Sequence, residues 1–364
     1  MSRRTRSTRG AASTPTRTPA ELGYAFPAEW TRQAGTWISW PRPEGISFPG
    51  TYHRVIPAIA RIVGHIAERQ EVHLNVPNAN WERIVRGVLR ANGCALRAVR
   101  FHHIPTNECW TRDHGPAFVV RSVRGRRQVA IVDWKHNAWG GKYPPWDLDD
   151  AVPTAVGREL GLPVFDADFV MEGGAVDFNG AGTVLTTTSC LLNPNRNGRV
   201  SRKRVETYLR EYYGQRHVVW LGDGIAGDDT DGHVDDLARF IGERTIVAGV
   251  EVDPSDANFA VLQDNLRRLR QARDQEGRPF EVVELPMPEP VSYEGQRLPA
   301  TYVNFLFVNG ALLVPVFGQP TRDRRALSCL RRALPGREVI GVPCRELVWG
   351  LGTIHCLTQQ QPAG

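Results

Sequence analysis

One arrangement recurs along this chain and restricts its fold more than any other feature: an apolar strand, a glycine-bearing turn and a second apolar strand. It occurs at 116–134 (PAFVVRSVRGRRQVAIVDW), 174–187 (GAVDFNGAGTVLTT), 237–250 (LARFIGERTIVAGV) and 302–317 (YVNFLFVNGALLVPVF), with starts 58, 63 and 65 residues apart. Asn179-Gly180, Gly242 and Asn309-Gly310 offer the positive-φ residues that hairpin turns need. Helical stripes lie between the hairpins: Ile56, Ile59, Val63, Ile66; Trp81, Val85, Val88; Val205, Tyr208, Tyr212; Phe259, Leu262, Leu266, Leu269; Leu327, Leu330, Leu334; and a shorter one over 152–160. Most are followed by a β-rich run, at 71–76, 96–101, 217–221, 280–285 and 337–342. The unit is helix, strand, loop, hairpin at intervals of about 60 residues, and the chain after position 20 holds five to six of them. A ring of such units is a small α/β propeller with its helices outside; a conventional α/β sheet is the alternative.

Charge helps to divide the chain. The formal net charge is +6, but Arg3, Arg4, Arg6, Arg9 and Arg17 sit in a Ser/Thr/Pro/Gly-rich opening with no acid before Glu21. Everything after residue 20 is left close to neutral. The expected organisation is a disordered Arg-rich tail over 1–20 and a single domain over 21–364, without the basic face that nucleic-acid binding demands. No apolar stretch approaches the roughly 18–20 residues that span a bilayer, and the opening lacks the apolar core of a secretory signal. Six scattered cysteines without a C-x-x-C pair read as reduced thiols in a cytoplasmic protein. Cys356 stands apart from the other five. Gly350 and Gly352 precede it, His355 adjoins it, and the polar run Thr358-Gln359-Gln360-Gln361 follows.

Polar groups cluster at comparable points of different units, just ahead of the hairpins. Asp113 ends 107–113 (NECWTRD), Glu172 opens EGG at 172–174, and His233 and Asp235 lie in 228–236 (DDTDGHVDD). In a ring these groups converge on one axis. On an extended strand His233 and Asp235 face the same way, an imidazole and a carboxylate suited to proton transfer beside a cationic ligand. Asp113, three residues after Trp110, could hold a planar cation with the indole against it, or simply cap a turn before Pro116. Glu172 reads equally as a turn residue or as the partner that orients a histidine. The acids of 228–231 suggest a cation site, but the run lacks the sixth-position Gly and distal Glu of a calcium loop.

The strings PAEW (27–30), NECWTRDHGP (107–116), EGG (172–174), CLLNPNRN (190–197), GDDTDGHVD (227–235), YVNF (302–305) and IHCLTQQQPA (354–363) resemble, in order, those of agmatine deiminases. These belong to the guanidine-modifying superfamily that includes the Porphyromonas-type peptidylarginine deiminases. The resemblance implies a five-fold pseudosymmetric ββαβ propeller in a single domain. It implies Cys356 as nucleophile, His233 as general acid/base, Asp113 and Asp235 as guanidinium ligands, Glu172 as a partner of His233 or of the amidine, and Trp110 as pocket wall. The chain keeps the family's acid at Glu108 and departs from its usual residues at Cys109 and Thr353.

The implied reaction is hydrolysis of agmatine to N-carbamoylputrescine and ammonia through a covalent thiouronium on Cys356, with no metal and no organic cofactor. The expected partner is a small guanidine substrate, not a nucleic acid or a membrane, and self-assembly into a homo-oligomer is compatible with the reading. Asp229 and Asp231 are the expected partners of agmatine's distal ammonium at the pocket mouth. Two rivals stand beside this reading. One is another guanidine hydrolase or amidinotransferase of the superfamily, acting on arginine or peptidylarginine; the other is a metal-dependent hydrolase built on the Asp/His cluster.

Overall fold

A computed structural model describes residues 17–364. The amphipathic stripes form helices at Tyr52–Ala67, Ala79–Ala91, Val152–Leu160, Arg202–Tyr213, Phe259–Gln271 and Pro320–Ala333. Each turns its apolar face inward; Tyr52–Ala67, for example, buries Ile56, Ile59, Val63 and Ile66. Helix Ala79–Ala91 starts where the Asn78 side chain accepts from the backbone N–H groups of Asn80 and Trp81, satisfying donors that the first turn leaves free.

Strand β1 (Gln33–Ser39) runs parallel to β2 (Glu71–Asn75), which runs parallel to β3 (Val99–His102). Then one pattern repeats. The hairpin β4 (Ala117–Val123)/β5 (Arg126–Lys135) takes β6 (Val164–Val170) alongside β5 in parallel, and β7 (Val176–Phe178)/β8 (Thr183–Thr187) takes β9 (His217–Leu221) in the same way. So does β10 (Ala238–Gly242)/β11 (Thr245–Val250) with β12 (Glu281–Pro286). A two-residue ribbon, β13 (Ser292–Tyr293) with β14 (Gln296–Arg297), interrupts before β15 (Leu306–Val308)/β16 (Ala311–Val316) takes β17 (Glu338–Pro343). Last, β18 (Thr358–Pro362) lies antiparallel to β1, so the first sheet gains its hairpin-like partner from the far end of the chain. The result is a mixed α/β fold of five small sheets of three or four strands, besides the short ribbon.

Two hairpin glycines take the expected backbone: Gly180 has φ 70° and Gly310 φ 79°. Gly242 does not; it sits at a register shift against Thr245, so the turn of the third hairpin is made differently from the sequence expectation. The run 358–361, read as a polar segment, is a strand whose Thr358, Gln359 and Gln360 are buried.

Most of the expected tail, residues 1–16, lies outside the described residues. Thr18 and Glu21 are tied reciprocally: the Thr18 N–H donates to Glu21 Oε2 at 2.8 Å and the Glu21 N–H to Thr18 Oγ1 at 3.4 Å. Among the described residues no helix is long and apolar enough to cross a membrane.

Candidate active site

Four of the five sheets contribute expected site residues from the segment that immediately precedes their antiparallel pair. Asp113 lies on the four-residue helix Thr111–His114 before β4, Glu172 and Gly174 before β7, His233 and Asp235 before β10, and Cys356 on Ile354–Leu357 before β18. All five of the named acids, imidazole and thiol are buried. Gly174 marks where they meet. A Cβ added there would lie 2.5 Å from His233 Nδ1, 2.9 Å from Asp113 Oδ1 and 3.2 Å from Asp235 Oδ1.

A buried polar frame fixes this arrangement. Asp113 accepts from Gly174 N at 3.1 Å through Oδ1 and from Trp139 Nε1 at 3.0 Å through Oδ2. Trp139 reaches it from a left-handed backbone (φ 56°, ψ 42°), a conformation that costs a non-glycine residue about 1–2 kcal/mol. Asp235 Oδ2 bonds His355 Nδ1 at 2.7 Å, and His355 Nε2 bonds Glu29 Oε2 at 2.8 Å. Arg239 donates to Glu29 and to Asp177, each at 2.7 Å, and to the Phe305 carbonyl at 2.9 Å. One network therefore ties the starts of β7, β10, β15 and β18 together. Asp235 Oδ1 has no partner within it.

Electrostatics follow from this burial. Burial opposes charge on Asp235, but the His355 bond and charge hold its carboxyl below the usual range. Burial pushes Asp113 up to about 6, against the attraction of His233 and with the repulsion of Asp235 and Glu172. For His233, burial disfavours the imidazolium, yet Asp113, 3.7 Å away, with Cys190 and Glu172, moves it well above its ordinary value. Burial and then Asp235, Asp236 and Asp113 push the Cys356 thiol well up. A cation arriving among these carboxylates would reverse that last effect.

The other expected residues are placed as follows. Glu172 approaches His233 and Cys190, all three ligand atoms lying within 4.8 Å of one another, but its Oε1 accepts a hydrogen bond from Arg196 Nε at 2.6 Å. Trp110 lines a cleft of about 120 Å³ leading to Cys356, together with Asp113, Trp139, Tyr143, Asp229 and Trp349. Its indole N–H donates to Ser47 Oγ at 2.9 Å, and Ser47 in turn donates to Glu108. Asp229 lines the cleft; Asp231 does not. Asp231 is drawn away by Arg196, by Asn195 Nδ2 at 2.9 Å and by Lys142 Nζ at 3.0 Å. Asp229 is shared between Lys142 and the Tyr143 hydroxyl. The acidic run therefore carries an ammonium of the chain's own, with Lys142 Nζ between Asp229 and Asp231.

Sequence reasoning missed Lys142, Arg196, Trp139, Glu29 and His355 as parts of the site. The signal was faint: all but Lys142 and Trp139 fall inside strings already singled out, without a role attached. Asn304 was a clearer loss, since it is one polar residue inside the apolar run YVNFLFV. The substituted Thr353 donates to Asn304 Oδ1 at 2.6 Å, so its hydroxyl supports the segment that carries Cys356.

Residues 25–362 match the model of the Porphyromonas-type peptidyl-arginine deiminase family, and the chain belongs to that family. Within it, the chain is 36% identical to the agmatine deiminase of Ectopseudomonas mendocina, over 96% of this chain and 99% of that one. Two solved structures share its fold closely. The agmatine deiminase of Enterococcus faecalis superposes with a TM-score of 0.88 at 31% identity, covering 97% of this chain and 99% of that chain. A Cys-to-Ser variant of the C. jejuni agmatine deiminase with substrate bound gives 0.83 at 33% identity, covering 94% and 96%.

Proposed function

We propose that this chain hydrolyses agmatine to N-carbamoylputrescine and ammonia, with Cys356 as nucleophile and His233 as general acid/base. The observation that carries the reading is the convergence of Asp113, His233 and Asp235 on Gly174 beside the Cys356 thiol, with Asp113 and Cys356 lining a cleft walled by Trp110, Trp139, Tyr143 and Trp349. The unpartnered Asp235 Oδ1 and the paired oxygens of Asp113 grip the guanidinium plane through charge-assisted hydrogen bonds. Its positive charge offsets the carboxylates that hold Cys356 as a thiol, and sulfur attacks the guanidine carbon. The thiol proton, relayed through His233, leaves on ammonia, and a thiouronium remains on sulfur. Water then attacks the same carbon while His233 accepts its proton, and the C–S bond breaks to release the ureido product. Glu172, anchored by Arg196, sits behind His233 and favours its charged form.

The five sheets are arranged about this centre as a five-fold pseudosymmetric ββαβ propeller, with 21–364 as the catalytic domain and the Arg-rich opening outside the chemistry. The enzyme works in the cytoplasm on a free small guanidine and requires no metal or organic cofactor. Of the two rim acids, Asp229 faces the distal ammonium beside the aromatic wall, and Asp231 acts through Arg196. The test is purified protein with agmatine, arginine and a peptidyl-arginine, scored for ammonia and ureido product. Agmatine should exceed arginine in kcat/KM by at least about tenfold, roughly 1.4 kcal/mol. Equal turnover of arginine overturns the substrate, and amidine transfer to an added amine in place of hydrolysis overturns the reaction.

A further inference from the structure

Cys190 has no part in the proposed reaction, yet it stands against two residues that do. It lies on the short helix Thr188–Leu191 after β8, Glu172 just before Gly173–Ala175 and His233 just before Val234–Asp236. One ligand atom from each of the three lies within 4.8 Å of the other two. All three side chains are buried, with His233 the most exposed at 1%. Among the described residues, Glu172 Oε2 and both ring nitrogens of His233 have no hydrogen-bond partner. Orphaned polar atoms this deep are rare in folded proteins and point to an occupant. A second group, Asp235, Asp236 and Cys356, is as tight, but its donors are already engaged. Asn304 Nδ2 lies 3.2 Å from Asp235 Oδ2, 3.0 Å from Asp236 Oδ1 and 3.1 Å from Cys356 Sγ.

One thiolate, one imidazole and one carboxylate are ligand types of zinc, which also occurs with three protein ligands and an open fourth position. The sulfur disfavours magnesium and calcium, which take oxygen. Zinc bonds of about 2.0–2.3 Å set tetrahedral ligands about 3.5 Å apart, so side-chain shifts of about 1 Å close the trio on an ion. Charge balances too. The thiol and the imidazolium give up their protons to solvent, and thiolate with carboxylate offsets the dication. Asp113 marks the way in, since it lines the cleft and stands 3.7 Å from His233 Nδ1. We propose that Glu172, Cys190 and His233 form an inhibitory site for zinc-like divalent cations. A bound ion occupies the imidazole that the reaction needs for proton transfer, and turnover stops.

The inhibition rests on His233 acting in the proposed reaction, whereas the binding does not, and two measurements keep them apart. In the first, cobalt(II) is titrated into the parent, Cys190→Ser and Cys356→Ser proteins without substrate, and the thiolate-to-cobalt charge-transfer absorption is followed. The band should appear in the parent and in Cys356→Ser and be missing from Cys190→Ser. In the second, zinc at a concentration that saturates the parent should lower its ammonia release from agmatine at least about tenfold, with recovery on adding EDTA. The same zinc should change the rate of Cys190→Ser by less than about twofold, measured against that variant without metal. Cys190→Ala replaces the serine variant if that one misfolds. A band absent from the parent, retained in Cys190→Ser or lost in Cys356→Ser overturns the site. Cobalt bound through Cys190 with zinc leaving turnover intact overturns the inhibitory role. A protein that shows the Cys190-dependent band but never turns over agmatine keeps the metal site and refutes the proposed reaction instead.

Discussion

Gly174 offers the most direct test of the arrangement, because one added methyl group lands among three of the reacting partners. Its backbone lies outside the left-handed region, so alanine is tolerated by the main chain. The Cβ would stand 2.5 Å from His233 Nδ1, about 0.9 Å closer than the 3.4 Å at which ordinary contact begins, and 2.9 Å from Asp113 Oδ1. The imidazole or the carboxylate must yield by most of that amount. Overpacking a tight interior costs about 1–3 kcal/mol, a modest fall in melting temperature for a chain of this size. Displacing a proton-transfer group by about 1 Å can cost about a hundredfold in rate. Gly174→Ala should therefore melt only slightly below the parent while ammonia release from agmatine falls by about two decades. Gly64 is the control. It lies on helix Tyr52–Ala67 with nothing within 4 Å of an added Cβ, and Gly64→Ala should keep full activity and gain about 0.5–1 kcal/mol. A Gly174→Ala enzyme that works within about threefold of the parent would refute the idea that His233 and Asp113 act from where they stand.

Cys356→Ser should fold normally and lose turnover, because a serine hydroxyl ionises far less readily than a thiol, whereas Cys109→Ser should retain it; the pair is read by ammonia release and thermal melting. Asp113, pushed up to about 6, gains a proton as pH falls through that value and stops attracting a guanidinium, so kcat/KM should drop on the acid side of about pH 6. A profile flat down to pH 5 would contradict that assignment. Arg196→Ala should lower unfolding free energy in urea by about 3–5 kcal/mol, since it strands Glu172 as a fully buried charge.

How far the chain could be read in advance varied with the physics involved. Helices with strong apolar periodicity and the β-rich runs after them were legible because both signals are local. Helix Val152–Leu160 appears with the bounds its sequence suggested. The four hairpins were legible for the same reason. The fifth sheet was not, because its antiparallel pair joins Gln33–Ser39 to Thr358–Pro362, and no window along the sequence contains both. The Gln run was read only as a polar segment, although Gln360 accepts from Arg112 Nη1 at 2.6 Å inside the protein. Within the site, Cys356, His233, Asp113 and Asp235 stood out by residue type and position. Asp231 misled because a carboxylate in sequence carries no sign of the Arg196 and Lys142 cations that claim it in space.

The pairing of β1 with β18 also dictates when this molecule can first become reactive. The other hairpins close over a few intervening residues, but Gln33 meets Pro362 only after more than three hundred residues have been threaded between them. Loop-closure entropy rises by only about 0.6 kcal/mol per doubling of length, so the long connection burdens stability little. It matters far more for order of events, since non-local pairings form late and chains fold from the N-terminal side as they are made. The four internal sheets can assemble on emerging chain; the joint that seats Cys356 cannot. A nascent protein thus carries its carboxylates, imidazole and aromatic wall before it possesses a nucleophile. A circular permutant with new ends at the exposed Arg124–Gly125 turn would reverse that history, making the Cys356 segment an early local hairpin and leaving the Asp113 unit to dock last.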